Sequence, residues 1–566
     1  MRWSRLVPLA LLLALSLPTQ AAPPRITAPA PLDALLQRYL KLEEPRDEVE
    51  RQALESRLSR EGSQLLATEG YFNPRLNLEG ASLDQLVLEV EPGPRSLVET
   101  VQLTLDGPMP EARRQALQQA WSLKAGQPFR QADWNQAKEQ LLLDLLDRDF
   151  PAARLTHSEA QVDADRQQVH LEVTVHSGPP YRFGELKIDG LLRYSPELVA
   201  RYNTQVEPGE HYEEGRLLGL QSSLENTPYF GSVFVSLDQE ALEPGPEGSL
   251  VAPVRVQLRE QAPHQLGLGA GVSSNTGARV ELNYRSADLF RRAWQLHSGL
   301  RLEQLKQSLY ADIFLPPTRD QYQHAFGVLF ENSDIQNLKL QTQSLGLSRS
   351  HQRGSIDMTL SLGYIAEKQT PKDQDSRRTR ALTMNGSWTW TPFRGQSDLS
   401  QGYSSQIQLG GSIKPVSDQN FVRLYGRHQQ AFALGSRNTL NLRAEGGIVL
   451  ADSRRGIPQN FLFRAGGTGS VRGYSYQSLG VQEGETTLGG RYLLAVSAEF
   501  THWLADSPWG IAAFVDAGNA GDDKETFKLK VGYGLGARWK SPAGPLGVDL
   551  AYGEDWHLHF ALAIPF

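Results

Sequence analysis

The most regular pattern in the chain begins near residue 264, where apolar and polar side chains alternate over segments of about ten residues, the length of a strand that crosses a bilayer. In "TLNLRAEGGIVL" (439–450), Leu440 and Leu442 fall on one face and Arg443 falls on the other. A two-residue period is typical of a β-strand with one apolar face. About 300 residues in this style, at about 19 for each strand and loop, predict roughly 16 antiparallel strands closed into a transmembrane barrel.

The chain before residue 262 carries a second pattern, which repeats. "VQLTLDG" (101–107) matches "ELKIDG" (185–190), and "LVLEVEPGPR" (86–95) corresponds to "VHLEVTVHSGPP" (169–180) and to "VRVQLREQAP" (254–263). Each copy reads as strand, helix, helix, strand, strand. Self-similarity at a fixed period indicates an array of small domains.

These patterns divide the chain into three α+β units, 23–98, 99–178 and 179–261, followed by an all-β barrel over 262–566. Residues 1–22 have the pattern of a secretory signal peptide. Basic residues precede an apolar run of about 12 residues, which is shorter than the roughly 20 that a spanning helix needs, and small residues follow it. The mature protein is therefore expected to leave the cytoplasm.

The composition excludes several classes of chemistry. The chain has 566 residues, no cysteine and a formal net charge of -7, so the sequence predicts no disulfide, no thiol chemistry and no basic patch for nucleic acid. Neither the GxSxG motif of a nucleophile elbow nor the HExxH motif of a zinc site occurs. His557 and His559 share one strand face and are expected to be a lumenal or surface pair. We therefore expect a non-enzymatic protein without a metal or cofactor.

One stretch, "FRAGGTGSVRGYSYQSLG" (463–480), concentrates glycine around a single arginine, Arg472. A phosphate-binding loop is one interpretation, but such loops open a helix and usually carry lysine, whereas the residues that follow here have no helical period. A guanidinium in a narrow lumen needs a carboxylate, and glycines let the backbone bend where side chains would collide. A loop fixed to the barrel wall is the favoured interpretation, and a plain structural loop is the alternative.

Three β-α-α-β-β units followed by a barrel resemble the POTRA-plus-barrel family, whose members insert or export outer-membrane proteins and include BamA, TamA and the transporters of two-partner secretion. "VRGY" (471–474) is similar to the family's signature in the sixth extracellular loop, which folds back into the barrel. "FVDAGN" (514–519) is similar to the strand motif against which that arginine docks. "GLGARWKSPAGPLGVDLAYG" (534–553) resembles the penultimate strands.

The resemblance implies a lid-loop lock, in which the loop tip is tied to the inner wall of the barrel. The loop side of this lock comprises the four residues of the motif: Val471, Arg472, Gly473 and Tyr474. Its partners on the wall are Asp516 and Gly518. Arg472 and Asp516 are expected to form an ion pair.

The first and last barrel strands are expected to meet at a lateral seam. The first, "HQLGLGAGVSS" (264–274), would face lipid with its leucines and the lumen with its glycines, which weaken pairing because they add no side-chain packing. The last, 557–566, includes Pro565, which lacks an amide donor. The predicted seam residues are Leu266, Gly267, Gly269, Gly271, Phe560, Leu562, Ile564 and Phe566. Such a seam would open sideways and pair with an incoming strand; alternatively, the glycines only make room for a lumenal loop.

Within the family, three units and this length are most similar to the TamA branch. That resemblance implies an outer-membrane assembly factor with its N-terminal domains in the periplasm and its barrel in the lipid bilayer. It also implies a TamB-like partner, anchored in the inner membrane, and clients that are unfolded barrels such as autotransporters. Two alternatives remain open: an exporter of the two-partner class, and a phospholipid conduit to the outer membrane.

Overall fold

The structure, a computed structural model, describes residues 25–42, 45–80, 86–392, 402–525, 527–541 and 544–561. The predicted signal peptide (1–22) lies outside these residues, and so do three predicted seam positions: Leu562, Ile564 and Phe566. Within the described ranges, no helix combines the length and the apolar composition that crossing a membrane requires. The described residues fall into two compact units. The first unit draws on 25–187, 205–219 and 235–255, and the second draws on 188–204, 220–234 and 256–561.

The first α+β repeat places two helices on a three-stranded sheet of order β1-β3-β2. Its elements are β1 (Arg25–Thr27), α1 (Leu32–Tyr39), α2 (Glu48–Thr68), β2 (Arg75–Glu79) and β3 (Val87–Glu91). Helix α2 begins after Asp47, whose carboxylate accepts a hydrogen bond from the Glu50 amide (2.8 Å). Leu54, Leu58 and Leu66 lie on one face of α2 at helical spacing, and they are buried in the core of this repeat.

The second repeat has the same order of elements and a sheet of order β4-β6-β5. Its elements are β4 (Leu97–Asp106), α3 (Glu111–Ala120), α4 (Gln131–Leu146), β5 (Arg154–Asp163) and β6 (Gln168–His176). Trp134, Leu141 and Leu145 form the buried face of α4. The helical period of the sequence therefore marks the side of α4 that packs on the sheet.

The third repeat follows, with a sheet in which β10 lies between β7 and β8. Its elements are β7 (Tyr181–Asp189), α5 (Pro196–Tyr202), α6 (Glu214–Glu225), β8 (Phe230–Leu237), β9 (Glu243–Pro244) and β10 (Leu250–Glu260). In all three repeats the last strand is central, and it pairs on one side with the first strand. The order strand, helix, helix, strand, strand is the one that the sequence predicts.

Gly107 and Gly190, the matched glycines of the second and third repeats, follow the first strand of each. Both adopt left-handed backbone conformations, with φ of 109° and 93°. A Cβ at Gly190 would lie 1.9 Å from the Leu258 carbonyl oxygen. The repeated glycine is therefore required by the turn, because any side chain would be strained and would collide with the adjacent strand.

The remainder of the described chain is all β. Its strands are β11 (His264–Ser273), β12 (Gly277–Leu289), β13 (Trp294–Glu303), β14 (Lys306–Phe314), β15 (Gln323–Ile335), β16 (Leu338–Arg353), β17 (Ile356–Pro371), β18 (Arg377–Trp390), β19 (Gly402–Ser412), β20 (Phe421–Ala433), β21 (Asn438–Leu450), β22 (Val481–Glu483), β23 (Thr486–Leu488), β24 (Tyr492–Trp503), β25 (Trp509–Gly521), β26 (Lys530–Ser541), β27 (Gly544–Tyr552) and β28 (Trp556–Ala561). All except the hairpin β22–β23 join one closed antiparallel barrel in chain order. The predicted fold class, α+β repeats followed by a barrel of 16 strands, is confirmed.

The two rims of the barrel are distinguished by where β11 begins. The rim at His264 follows the third repeat, and we call it the proximal rim; the opposite rim is the distal rim. Because neighbouring strands are antiparallel, the β12–β13 and β14–β15 turns lie at the proximal rim. By the same count, the long connection from β21 to β24 (451–491) starts at the distal rim and is the sixth connection on that side.

Candidate functional site

The β21–β24 connection (451–491) carries the predicted lid-loop motif, and we call it the lid loop. It contacts the inner wall of the barrel. Val471 and Tyr474 in this loop are 0% and 5% exposed, and they belong to an apolar cluster that includes Val449, Leu493 and Ala520 of the strands. The Tyr474 hydroxyl donates to the carbonyl oxygen of Val531 on β26 (3.4 Å). The loop tip is thus packed among side chains of the wall and is not a free surface segment.

Arg472 contacts Asp516 on β25 through three hydrogen bonds. Its Nε donates to Oδ2 (2.8 Å), its Nη2 donates to Oδ1 (3.0 Å), and its backbone amide also donates to Oδ2 (3.0 Å). Arg472 is 6% exposed and Asp516 is 0% exposed. A paired fork of this kind is the geometry in which a guanidinium recognises a carboxylate most strongly. The structure therefore brings these two sequence-predicted residues together.

Two further carboxylates, which the sequence did not single out, contact the same guanidinium. Arg472 Nη1 donates to Oε2 of Glu499 on β24 (2.6 Å) and to Oδ2 of Asp549 on β27 (3.0 Å). The ring centroid of Phe514 lies 3.4 Å from the guanidinium carbon, within the range of a cation–π contact. Arg472 is therefore held by residues of three strands.

A second arginine, Arg538 on β26, contacts both of these additional acids. Its Nε and Nη2 donate to Glu499 (3.0 and 2.7 Å), and its Nη1 donates to Asp549. Two guanidinium groups and three carboxylates thus form one buried network around the loop tip. Breaking such a network by removing one partner typically costs about 3–5 kcal/mol, because it leaves an uncompensated buried charge.

Gly473 lies directly against the backbone of the wall. Its φ of 87° is left-handed, and a Cβ at this position would lie 2.6 Å from the backbone carbon of Tyr552. Its amide donates to Nε2 of His559 on β28 (2.9 Å), and its carbonyl accepts from the Glu554 amide (3.2 Å). The glycine of the motif is required here both for its conformation and for the space.

Gly518 is the second residue that the lock prediction places on the wall. It is two residues beyond Asp516 on the same inward face of β25. The atoms nearest to a Cβ built at Gly518 belong to Leu494 and Ala495 of β24, at 2.7 to 2.9 Å. The structure therefore places Gly518 against the neighbouring strand, where it permits close strand packing.

The base of the loop is held at a different part of the wall. Glu367 on β17 is 2% exposed, and its Oε1 accepts hydrogen bonds from the Gln459 amide (2.9 Å) and from Nε2 of Gln369 (2.7 Å). The Gln459 side-chain oxygen in turn accepts from the Gly489 amide (2.8 Å). Sequence reasoning missed this contact, because Glu367 lies about 90 residues before its loop partner and only the fold brings the two together.

The seam between β11 and β28 is short in the described residues. Its one in-register pair is Ser273 with Ala561, and the Ser274 amide also donates to the Phe560 carbonyl oxygen (3.1 Å). In contrast, β11 pairs with β12 along its whole length, from His264 to Ser273. The described residues of the last strand end at Ala561, so they report the β11–β28 pairing at this end of the seam.

The side chains of β11 alternate as the sequence predicts. Leu266 and Leu268 are each 70% exposed on the outward face. Gly267, Gly269 and Gly271 occupy the positions between the exposed ones. Phe560 on β28 is half-buried.

The lid loop contacts both sides of the seam. Beside the first strand, Asn275 follows β11, and its Nδ2 donates to Oγ1 of Thr468 in the loop (2.9 Å). Beside the last strand, His559 accepts from Gly473. The loop therefore connects the two strands that meet at the seam.

The contacts of the lid loop with the wall and with the seam strands described above are hydrogen bonds, ion pairs and apolar packing. The described residues contain no group of three or more histidines and acids placed to hold a metal ion. His557 and His559 have ring centroids 5.8 Å apart, and the Nε2 of His559 is engaged by Gly473.

Comparisons with known proteins agree with this architecture. The model of the Omp85 superfamily domain matches residues 262–561. The outer membrane protein assembly factor BamA of Neisseria meningitidis serogroup B is 23% identical over 523 residues, which are 80% of this chain and 64% of that protein. BamA of Nitratidesulfovibrio vulgaris is 30% identical over 165 residues, which are 27% of this chain and 20% of that protein. The chain thus spans less than two thirds of the length of these relatives.

Among solved structures, BamA from Haemophilus ducreyi lacking POTRA domains 1–3 has the same fold. The TM-score is 0.68 at 16% identity, and the match covers 82% of this chain and 98% of that one. The predicted location is confirmed: the barrel lies in the outer membrane and the N-terminal α+β domains lie in the periplasm. The proximal rim is therefore the periplasmic rim. Because the matching domain covers more than half of its residues, the chain belongs to the Omp85 superfamily.

Proposed function

We propose that this protein is an assembly factor of the TamA type, which inserts unfolded outer-membrane barrels, autotransporters among them, through the seam between β11 and β28. The observation that carries the proposal is that the lid loop contacts residues on both sides of this seam, Asn275 beside β11 and His559 on β28, so that release of the loop would free the edge of β11. An unpaired strand edge presents backbone amides and carbonyls with which an incoming strand can pair. The activity is an exchange of backbone hydrogen bonds, without a covalent step.

The composition of β11 suits a strand that pairs with many clients. Leu266 and Leu268 are exposed on the outward face, where they would contact lipid whether the seam is closed or open. The glycines between them contribute no side-chain packing to a neighbour. Pairing with β11 is therefore set by backbone hydrogen bonds and places few demands on the client's side chains.

The lid-loop lock would control this edge. Because the loop contacts Asn275 beside β11 and His559 on β28, the two seam strands cannot separate fully until one of these contacts breaks. The buried network around Arg472 holds the loop tip in the position that makes both contacts. Release of the loop and opening of the seam are therefore coupled in this proposal.

The periplasmic repeats offer sites for a TamB-like partner or for clients. In the second repeat, β5 and β4 are the outer strands of a described three-stranded sheet, so each presents an edge for strand addition. A photo-crosslinking residue placed in β5 tests this assignment in cells. We expect an adduct with an inner-membrane-anchored TamB-like protein; adducts with clients alone would assign this edge to clients.

A disulfide across the seam tests the proposed route of insertion. Ser273 and Ala561 are in-register partners, and directly opposed residues of antiparallel strands lie close enough for a disulfide. The chain has no native cysteine, so Ser273→Cys with Ala561→Cys forms a defined bond. We expect the oxidised protein, reconstituted in liposomes, to lose client insertion and to regain it on reduction.

The matched control is a disulfide within the continuous part of the barrel. Gly346 and Gly363 are in-register partners on β16 and β17, and a Cβ at Gly346 meets no atom within 4 Å. Oxidised Gly346→Cys/Gly363→Cys should insert clients as well as the unmodified protein. Full insertion by the seam-locked protein would contradict the proposal and would favour passage through the lumen, as in an exporter or a lipid conduit.

A further inference from the structure

A cavity of about 420 Å³ lies at the periplasmic rim, within the second compact unit. Three segments line it: 193–201 around the start of α5, 288–294 around the β12–β13 turn, and 315–324 around the β14–β15 turn. The Arg201 guanidinium donates to the Pro317 carbonyl oxygen (3.1 Å), which connects the first of these segments to the third. We call this feature the rim cavity.

The rim cavity is rich in unpaired positive charge. Four arginines line it: Arg193, Arg201, Arg291 and Arg292. In the part of the chain that the structure describes, none of them forms an ion pair with a carboxylate. Two carboxylates also line the cavity, and each accepts hydrogen bonds from groups other than these arginines. Asp288 accepts from the Ala293 amide (2.9 Å), and Glu197 accepts from the Ser195 hydroxyl and its own amide. The cavity therefore attracts an anion.

A buried hydroxyl also lines the rim cavity. Tyr194 is 7% exposed, and among the described residues its Oη completes no hydrogen bond of normal geometry, although the Arg193 side chain lies near enough to act on it and to lower its pKa. The Arg193 guanidinium carbon lies 6.0 Å from the centre of the Tyr194 ring. Burial raises the pKa of the Tyr194 hydroxyl to about 12, so the group remains a donor at neutral pH. An unsatisfied buried hydroxyl is costly for the protein alone, and a bound acceptor would relieve that cost.

Aromatic side chains place the rim cavity next to the bilayer. Phe290 is 71% exposed and packs edge-on against Trp294, and Arg292 lies over the same indole ring (5.6 Å). Aromatic residues at a barrel rim mark the boundary between acyl chains and headgroups. The arginines of this turn are therefore at the depth of the periplasmic headgroups.

The conformation of the β12–β13 turn maintains this arrangement. Phe290, Arg291 and Ala293 all adopt left-handed backbone conformations, with φ of 60°, 58° and 54°. Such conformations are unfavourable for residues other than glycine and persist where surrounding contacts hold them. Asp288 supplies one such contact through the Ala293 amide.

From these observations we propose that the rim cavity binds the phosphodiester headgroup of an anionic glycerophospholipid from the periplasmic leaflet. The arginines bind the phosphate oxygens, and the Tyr194 hydroxyl donates to one of them. Phe290 and Trp294 contact the glycerol and acyl region of the same lipid. This site lies on the β12–β15 side of the rim, and its occupancy does not depend on whether the seam opens.

Calorimetric titration of the full-length protein in an uncharged detergent tests the proposal. The probes are dihexanoyl phosphatidylglycerol, zwitterionic dihexanoyl phosphatidylcholine and inorganic phosphate. We expect phosphatidylglycerol to bind more tightly than either of the other two. Replacement of Arg291 and Arg292 by Gln should weaken its binding about fivefold for each charge removed. Tyr194→Phe, which removes only the hydroxyl, should weaken it roughly tenfold without destabilising the fold.

Arg319→Gln is the matched control, because Arg319 is exposed in the β14–β15 turn and does not line the rim cavity. The Arg319→Gln protein should bind phosphatidylglycerol with the same affinity as the unmodified protein. Equal binding of both lipids, or unchanged binding by Tyr194→Phe and the arginine double variant, would overturn the proposal. Inorganic phosphate that binds as tightly as phosphatidylglycerol would overturn the assignment to a lipid in favour of a soluble phosphate.

Discussion

The backbone amide of Gly473 donates a hydrogen bond to Nε2 of His559, at 2.9 Å. Gly473 is adjacent to the buried arginine of the lid loop, and His559 is on the last strand of the barrel. One hydrogen bond thus connects the lock to the seam.

Gly473→Ala should release the loop tip. Its Cβ would lie 2.6 to 2.8 Å from backbone atoms of Tyr552 and Gly553, and its φ of 87° would be strained. We expect the loop to become sensitive to external protease in intact cells. Gly469→Ala is the control, because a Cβ there meets no atom within 4 Å; equal protease resistance of the two variants would contradict the proposed close approach.

His559→Ala should weaken the connection between the loop and β28 while leaving the Arg472 network intact. It removes the acceptor of the Gly473 amide, and a lost hydrogen bond of this kind costs about 1–3 kcal/mol when the donor stays buried. Hydrogen exchange of the Gly473 amide, followed by mass spectrometry of the loop peptide, should become faster. His557→Ala, on the same strand, should leave the exchange unchanged, and an equal effect of both variants would point to general destabilisation of β28.

A charge swap between Arg472 and Asp516 should fail to restore the barrel. Glu at position 472 would face Glu499 and Asp549, which lie 2.6 and 3.0 Å from the present guanidinium nitrogen. Arg472→Ala should lower the unfolding free energy by about 3–5 kcal/mol, because it leaves three carboxylates around an empty position. Urea titration of the folded barrel, resolved by its electrophoretic mobility, measures both effects. Complete recovery in the double swap would mean that Glu499 and Asp549 contribute little.

Low pH should destabilise the third periplasmic repeat through Asp238. Hydrogen bonds from Lys187 and Arg255, each 3.1 Å from Asp238 Oδ2, hold the pKa of this carboxyl below its ordinary value of 3.8. A lowered pKa in the folded state gives stability that is present above pH 3.8 and is lost as the pH falls through the lowered value. Calorimetry of the full-length protein should show this loss, and Asp238→Asn should reduce it. An unchanged acid dependence in Asp238→Asn would contradict the assignment.

The sequence predicts the barrel and its facing well because alternation is a local property. Leu266 and Leu268 face outward for the same reason that Gly267 faces inward: successive side chains of a strand point to opposite sides. The matched glycines Gly107 and Gly190 likewise follow from a local demand for positive φ. Strand count, repeat order and the pairing of Arg472 with Asp516 were therefore within reach of pattern and resemblance.

The other residues of the network around Arg472 could not be predicted, because their contacts depend on the register between strands far apart in the sequence. Glu499, Arg538 and Asp549 are inward residues on three different strands, and nothing local says which inward residues face one another across a sheet. His559 illustrates the same limit. Its position on an alternating strand was visible, but its contact with Gly473 requires the loop to cross from the distal rim into the lumen.

The most direct test of the account is the distance across the seam with and without the lock. Spin labels at Leu268→Cys on β11 and Leu558→Cys on β28, both exposed on the outward face, report that distance by pulsed electron paramagnetic resonance. Labels at Leu345→Cys and Met358→Cys on β16 and β17 provide the control. We predict one narrow distribution at the seam in the parent protein and a broader, longer one after Arg472→Ala or His559→Ala, with the control pair unchanged. Seam distributions that are identical in all three proteins would contradict the claim that the loop holds the seam closed.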